Sequence, residues 1–105
     1  MDAEITFGDT IKKLRNEKSL TLREVAKALN IDTSMLGKIE KNTRKPTQKF
    51  IENIANFFNV SVKDLKIASL SDTVVYKVVG DEDLANEVLK TAEKKVKYLK
   101  SQKNS

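Results

Sequence analysis

The sequence has 105 residues, of which 39% are hydrophobic and 33% are charged, and its formal net charge is +5. These values are typical of one small soluble globular protein. The chain contains neither cysteine nor histidine, which excludes disulfides, thiolate nucleophiles, histidine general bases and Cys/His zinc sites. We also find no Gly-rich phosphate loop and no credible catalytic carboxylate spacing, so we expect no enzymatic activity, no metal and no cofactor.

The sequence predicts no membrane or secretory segment. It has no run of about 18 apolar residues, and its acidic start, "MDAEITFGD", lacks the positive region and apolar stretch of a signal peptide. We therefore expect a cytoplasmic protein. With one proline and three glycines in the whole chain, helix is the favoured class.

The first predicted helix spans about residues 8–18. Thr6 is a suitable N-cap residue, and Phe7, Ile11 and Leu14 have the spacing of one buried helical stripe.

The second and third predicted helices are separated by a turn of about three residues, "NID". The second opens with "TLRE", a capping box in which Thr21 and Glu24 satisfy free backbone amides. The third begins after Asp32 and ends near Lys41. Steps of 100° per residue divide it into two faces. One side, mainly apolar, carries Met35, Leu36, Ile39 and Glu40. The other side, the polar front, carries Ser34, Lys38 and Lys41, with Thr33 at its leading tip.

Gly37 lies in the middle of this third helix, where a glycine costs about 0.5–1 kcal/mol relative to alanine. Tight packing against the second helix or a close approach to a partner would compensate for this cost. We expect the tight packing.

The fourth predicted helix follows Pro46, with Thr47 as its N-cap. Its apolar residues form two adjacent stripes, which is wider than a small bundle requires. We expect the C-terminal half of the chain or a second subunit to cover the excess.

Two helices are predicted in the C-terminal part. The fifth starts after Ser61, but residues 73–79, "TVVYKVV", also have the β-branched composition of a strand. The spacing 67, 70, 74, 78 favours a helix, which we adopt. Gly80 separates it from a sixth helix capped by Asp81. The coiled-coil spacing of the sixth helix rests on Ala85, Val88, Ala92, Val96 and Leu99.

The second and third helices together have a helix-turn-helix arrangement. In this motif the first helix crosses the phosphate backbone of DNA and the second enters the major groove. Short polar side chains and a lysine on the front of the third helix suit an approach to base edges. The next loop, "KNTRK", offers two hydrogen-bonding side chains and three cations for phosphates.

Residues 7–65 resemble the lambda-repressor/Cro-like (XRE) helix-turn-helix family. The matching positions are Thr21, Glu24, Val25, Ala26, Leu29, Ile31, Leu36, Ile39, Glu40, Pro46, Thr47, Ile54, Ala55 and Val60. The resemblance implies an all-α fold, with a five-helix lambda-repressor-like DNA-binding domain over residues 1–65. Helix 5 would be extended, and helix 6 would be an addition. It further implies a dimeric transcriptional regulator that binds double-stranded operator DNA, and no small-molecule effector is evident.

The resemblance also implies roles for individual residues. Base contacts would come from Thr33, Ser34 and Lys38. DNA backbone contacts would come from Thr21, Arg23, Lys41, Asn42, Thr43, Arg44 and Lys45. Arg15 and Glu40 match a pair that bridges helices 1 and 3 in this family.

The sequence departs from the family pattern at two positions. Leu22 stands where a glutamine often anchors a phosphate, and Thr21 or Arg23 would have to substitute for it. Asn42 replaces the usual glycine at the end of helix 3, which is tolerable because asparagine also adopts the left-handed conformation.

Other readings stay open. Thr33 and Ser34 also suit a simple helix start, and the basic residues also suit a solvated surface. Residues 66–105 are assigned to dimerisation through helix 5, helix 6 or both. The rival functions are an antitoxin or protein-interaction module on the same fold, and a controller protein of a restriction–modification system. The polar front of helix 3 argues against the interaction module.

Overall fold

In the computed structural model, which describes residues 5–103, the chain forms six α-helices joined by short turns. They are α1 (Phe7–Glu17), α2 (Leu22–Leu29), α3 (Thr33–Glu40), α4 (Gln48–Phe58), α5 (Val62–Val78) and α6 (Glu82–Lys103). The predicted all-α class is confirmed, and residues 73–79 are helical up to Val78 rather than a strand. Residues 1–4 of the acidic start and the last two residues of the chain lie outside the described range.

The helix starts coincide with the predicted capping residues. Thr6 and Thr47 each accept a hydrogen bond from the amide three residues ahead, at 3.1 Å in both cases. Thr21 and Glu24 form both hydrogen bonds of the predicted capping box. Asp32 occupies the N-cap position of α3, but its side chain makes no capping hydrogen bond.

Four of the helices end at a residue in the left-handed conformation, and none of these residues is a glycine. They are Ser19, Asn30, Asn42 and Asn59, with φ values of 55°, 56°, 62° and 54°. At the end of α3, the amides of Asn42 and Thr43 donate back to the carbonyls of Ile39 and Lys38, which is the Schellman pattern. Asparagine tolerates this conformation better than serine does, so Ser19 carries the largest strain of the four.

The hydrophobic core lies among α1 to α5. Its largest fully buried side chains are Ile11, Val25, Leu36, Ile39, Ile51, Ile54 and Leu65. The second apolar stripe of α4 consists of Phe50 and Phe57. The rings of Phe7 and Phe50 meet edge to face, with centroids 6.4 Å apart, so α1 covers the Phe50 end of this stripe, whereas Phe57 remains 40% exposed.

The chain divides into two compact units, one up to Asp72 and the other from Thr73 onward. The division falls inside α5, later than the boundary at residue 65 implied by the family resemblance. The first half of α5 belongs to the first unit because it buries Leu65 and Ser69. In the second unit, α6 contains no buried residue in the part that the structure describes.

Residues 5–103 contain neither a membrane-spanning helix nor a cluster of metal-binding side chains. None of their helices is both long enough and apolar enough to cross a membrane. No group of three or more acidic side chains in that range is placed to hold a metal ion.

Candidate nucleic-acid interface

The front of α3 is exposed, whereas its back is anchored in the core. Thr33, Ser34 and Lys38 all face solvent. Within residues 5–103 their side chains take part in no hydrogen bond or ion pair. On the opposite face, Leu36 and Ile39 are fully buried. The structure therefore brings the three predicted base-contacting residues together on one face of a firmly held helix.

An ion pair between Arg15 and Glu40 holds the end of α3 against α1. The Arg15 guanidinium contacts both carboxylate oxygens, with Nε 2.8 Å from Oε2 and Nη2 3.0 Å from Oε1. Its Nη1 also donates to the Leu20 carbonyl at 2.8 Å. The two side chains are only 12% and 5% exposed. The hydrogen bond to Glu40 raises the pKa of Arg15 above its ordinary value, against the opposing effect of burial. The predicted pairing of Arg15 with Glu40 is thus present in the structure, between α1 and α3.

Gly8 allows α1 to pass close to the end of α3. A Cβ atom at this position would lie 2.4 Å from the Glu40 carbonyl oxygen and 2.6 Å from that of Ile39. Both are backbone atoms, so no side-chain movement would relieve the overlap. This role of Gly8 was not predicted from the sequence. The available signal was that Gly8 directly follows the buried Phe7 and precedes the buried Ile11 by three residues, on the face that packs inward.

Asn42 links the same two helix ends through its side chain. Its Oδ1 accepts from the Gly8 amide at 3.0 Å, and its Nδ2 donates to the Thr6 hydroxyl at 2.8 Å. The predicted left-handed backbone at Asn42 is present as well. These two bonds use one of the two Nδ2 protons, and the other can still be donated to a phosphate. Asn42 therefore links α1 to α3 and stays a candidate for a phosphate contact.

The other residues predicted to contact the DNA backbone differ in the side-chain donors that are available for a phosphate. Thr43 is exposed, but its hydroxyl donates to the Lys38 carbonyl at 3.1 Å, so its one proton is already used. Thr21 accepts a hydrogen bond from the Glu24 amide at 3.1 Å, and its own hydroxyl proton can still be donated to a phosphate. The remaining cations are exposed and form no ion pair within residues 5–103. They are Arg23, Lys41, Arg44 and Lys45.

The expectation of tight packing at Gly37 is wrong. A Cβ atom there would meet only the Cδ1 atom of Leu22, at 3.9 Å, which is an ordinary van der Waals contact. The side chain of Leu22 packs against the edge of the core and offers no group to a phosphate. Its position also places the start of α2, with Thr21 and Arg23, beside the middle of α3.

Comparison with known proteins identifies relatives of this chain. The sequence profile of the Helix-turn-helix family matches residues 11–65, just over half of the chain. The HTH-type transcriptional regulator YazB of Bacillus subtilis (strain 168) is 40% identical over 65 residues, which cover 62% of this chain and 93% of that protein. YqaE, an HTH-type transcriptional regulator of the same organism, is 26% identical over 82% of this chain and 85% of its own length.

Two solved structures share the fold. The SinR protein/SinI protein complex contains a chain that is 28% identical, with a TM-score of 0.55, covering 95% of this chain and 100% of that one. The clp gene regulator ClgR of Corynebacterium glutamicum has the same TM-score at 23% identity, covering 78% of this chain and 85% of its own. The predicted lambda-repressor-like fold is thereby confirmed. The matched profile and the similarity to YazB establish that the chain belongs to the XRE-type helix-turn-helix family of transcriptional regulators.

Proposed function

We propose that this regulator binds an inverted-repeat operator as a homodimer, with α3 of each subunit in a major groove. The observation that carries the proposal is the exposed polar front of α3, whose side chains are not engaged by the fold, on a helix with a buried back. Two-fold symmetry places the two half-sites about one helical turn, ~34 Å, apart. Transcription is regulated through occupancy of that operator.

Base reading falls to Thr33, Ser34 and Lys38 in this proposal. Hydroxyls donate to and accept from base edges, and a lysine donates to the O6 and N7 acceptors of guanine. Phosphates would be held by residues that keep an available donor, namely Thr21, Arg23, Lys41, Asn42, Arg44 and Lys45. These contacts fix the register of the protein on the duplex without reading its sequence.

The dimer is proposed to form through the C-terminal segment, residues 66–105. One face of α6 carries an apolar stripe at helical spacing, and its large members Val88, Leu89, Val96 and Leu99 are between 43% and 59% exposed. The outer face of α5 carries Ile67, Leu70 and Val74, all about half exposed. A second copy of the chain would bury both stripes, and such burial is the main driving force of association. Deleting residues 81–105 should therefore convert the dimer to a monomer by mass in solution. An equally stable dimer after this deletion would contradict the assignment.

A matched pair of substitutions tests the division between base and phosphate contacts. Lys38→Ala should lower discrimination between operator and random duplex by about 1–3 kcal/mol, because it removes a base contact. Arg44→Ala should weaken binding to both duplexes alike, because it removes a phosphate contact. Affinities would be measured by titration on both duplexes at several salt concentrations. Unchanged discrimination in Lys38→Ala, or random-duplex binding that does not weaken with salt, would contradict the proposal.

A second candidate function is assembly with another regulatory protein. It is favoured by one observation: the SinR–SinI structure, whose matching chain covers 95% of this one, is a complex of two different proteins. In this chain, the exposed stripes of α5 and α6 would form the contact. If these stripes served a different protein alone, the purified chain would be monomeric and the deletion of residues 81–105 would leave its mass per particle at one subunit. A stable homodimer favours the first proposal.

A further inference from the structure

The last helix, α6, carries a heptad pattern of apolar residues that the rest of the described chain leaves uncovered. Five residues follow one another at steps of 4, 3, 4 and 3, which is the a/d spacing of a coiled coil; they are Ala85, Leu89, Ala92, Val96 and Leu99. The three large members are between 43% and 59% exposed, and no residue of α6 is buried within the described chain. A helix of 22 residues with such a stripe gains its stability from a packing partner.

The charges of α6 are divided between its two ends. Residues 81–87 contain four acidic side chains and no base, whereas residues 88–103 contain six lysines and one glutamate, a net charge of +5. The helix dipole favours this order of charges, but only within the first and last turns. Glu87, Lys90 and Lys94 lie further inside the helix, so the division extends beyond what the dipole explains.

We infer that α6 pairs with α6 of a second copy of this chain in the antiparallel direction, and that its charges set this direction. The inference rests on the proposed homodimer and adds the orientation of its contact. In a parallel pair the two lysine-rich halves would lie side by side and repel each other. In an antiparallel pair the acidic start of each helix lies beside the lysine-rich end of the other, so both ends of the pair attract.

The apolar side chains fit the antiparallel direction as well. If Leu89 lies opposite Leu99 of the second copy, Ala92 lies opposite Val96, because the two helices run in opposite directions. Each layer then joins two large side chains or a small and a larger one. A parallel pair would place Ala92 opposite Ala92 and leave a gap between two bulkier layers, which costs packing contacts.

The same register brings opposite charges together at both ends of the pair. Lys103 of one helix lies between Asp83 and Glu87 of the other, and Lys100 lies next to Glu87. All four side chains are exposed, so each ion pair contributes little by itself. The arrangement occurs twice in a symmetric dimer, and the opposite direction replaces every attraction by a repulsion.

The first test reverses these charges in the full-length chain and measures the dissociation constant of the dimer by analytical ultracentrifugation. Asp83→Lys/Glu87→Lys makes both halves of α6 basic, and Lys100→Glu/Lys103→Glu gives α6 an acidic tip. Either double variant should raise the dissociation constant about tenfold, because attraction at both ends of the pair is lost. The variant with all four substitutions exchanges the signs of the two ends and should return to within about threefold of wild type.

The fourfold variant separates pairing from effects on the helix itself. Its charges oppose the helix dipole at both ends of α6, so a dipole effect would make it the weakest dimer of all. Glu82 is retained throughout because it accepts a hydrogen bond from the Gly80 amide at 3.1 Å. Lys12→Glu/Lys13→Glu changes the net charge by the same amount at exposed positions of α1, and it should leave the dissociation constant unchanged. Salt at about 0.5 M should reduce the differences between the variants.

The second test measures the direction of the pair by electron spin resonance. The chain contains no cysteine, so Asn86→Cys gives one site for a nitroxide label in each copy. In the antiparallel register Asn86 lies opposite Gln102 of the second copy. The two labels are then separated along the pair by about 16 residues, roughly 24 Å. In a parallel pair they lie at the same height and are separated only by the width of the pair, about 10–15 Å.

The failures of the inference and of the proposed dimer are distinguishable. A close pair of labels, or a fourfold variant that dimerises no better than the two double variants, overturns the inference and leaves the homodimer in place. A wild-type chain that is monomeric in solution, or that stays a dimer without residues 81–105, refutes the proposed dimer contact, and the inference fails with it.

Discussion

Replacing Gly8 or Gly37 with alanine makes the same chemical change at two glycines inside helices, and the structure predicts opposite results. At Gly8 the added methyl group would lie 2.4 Å and 2.6 Å from two backbone oxygens of α3. At Gly37 it would find one neighbouring atom, Leu22 Cδ1, at 3.9 Å. Helix propensity favours alanine at both positions by about 0.5–1 kcal/mol. If the two substitutions change the free energy of unfolding in opposite directions, the difference therefore comes from the atoms around each glycine.

The expected loss of stability in Gly8→Ala follows from the overlap of the added methyl group with the backbone of α3. Inserting a methyl group into a close-packed contact costs about 1–3 kcal/mol. Moving α1 away would also stretch the hydrogen bond from the Gly8 amide to Asn42, now 3.0 Å, which is worth about 1 kcal/mol. After the propensity gain is subtracted, we expect the free energy of unfolding to fall by about 2 kcal/mol. For a domain of this size that corresponds to a melting temperature lower by roughly 10 °C.

Gly37→Ala should instead raise the free energy of unfolding by about 0.5–1 kcal/mol, because alanine restricts the unfolded chain and meets no obstacle in the folded one. The measurement is urea unfolding of wild type and both variants, followed by circular dichroism. All three proteins are compared at one concentration, since self-association contributes to apparent stability. A Gly8→Ala variant as stable as wild type, or a destabilised Gly37→Ala variant, would refute this reasoning. The remaining explanation for Gly37, a close approach of α3 to DNA, predicts weaker operator binding by the stabilised variant.

Three further predictions concern the fold around α3. Arg15→Ala should lower the free energy of unfolding by about 3 kcal/mol in urea unfolding, because it leaves the 5%-exposed Glu40 carboxylate without its partner; a loss below 1 kcal/mol would contradict the structural role. Ser19→Gly should raise the free energy of unfolding by about 1 kcal/mol, and with it the melting temperature, because Ser19 has a φ of 55° that glycine adopts without strain. An unchanged melting temperature would show that there is no strain at this position. Hydrogen bonding from the Thr21 backbone amide lowers the pKa of Glu24. The carboxylate of Glu24 therefore contributes to the stability of the fold above the ordinary carboxyl pKa, and this contribution is lost as pH falls through the lowered pKa. Stability measured between pH 7 and pH 3 should therefore fall less steeply in Glu24→Gln than in wild type, and parallel curves would count against the cap.

The helix starts could be predicted from the sequence because capping is local. Thr6, Thr21 and Thr47 each bond an amide only three residues away, and such a pattern is visible in a short stretch of sequence. Helix and strand at residues 73–79 could also be distinguished from a short stretch of sequence. The distinction depended on spacing rather than composition, and the spacing gave the correct answer.

Contacts between distant parts of the chain could not be predicted in the same way. The hydrogen bond from Phe7 to Asp72 spans 65 residues, and that from Gly8 to Asn42 spans 34. Asp72 stands in a sequence of mixed composition with no repeat or motif to mark it. Gly37 shows the converse error: an unusual residue suggested crowding, whereas the distances around it show room.

The candidate interface was predictable only in part. Steps of 100° per residue correctly separated the exposed front of α3 from its buried back. They could not show that the side chains of Asn42 and Thr43 are already bonded within the protein. The sequence does not distinguish a polar side chain that is hydrogen-bonded within the protein from one that is available to bind a phosphate, because both have the same donors and acceptors.

The three side chains on the front of α3, Thr33, Ser34 and Lys38, form no bond with the rest of residues 5–103. Substitutions at such exposed positions usually change stability by no more than about 0.5 kcal/mol. A duplicated gene for this regulator could therefore diverge at these three codons without compensating changes elsewhere. If the three residues read the operator as proposed, new operator preferences would arise on an unaltered scaffold, whereas changes at Arg15, Glu40 or Gly8 would first have to overcome a loss of stability.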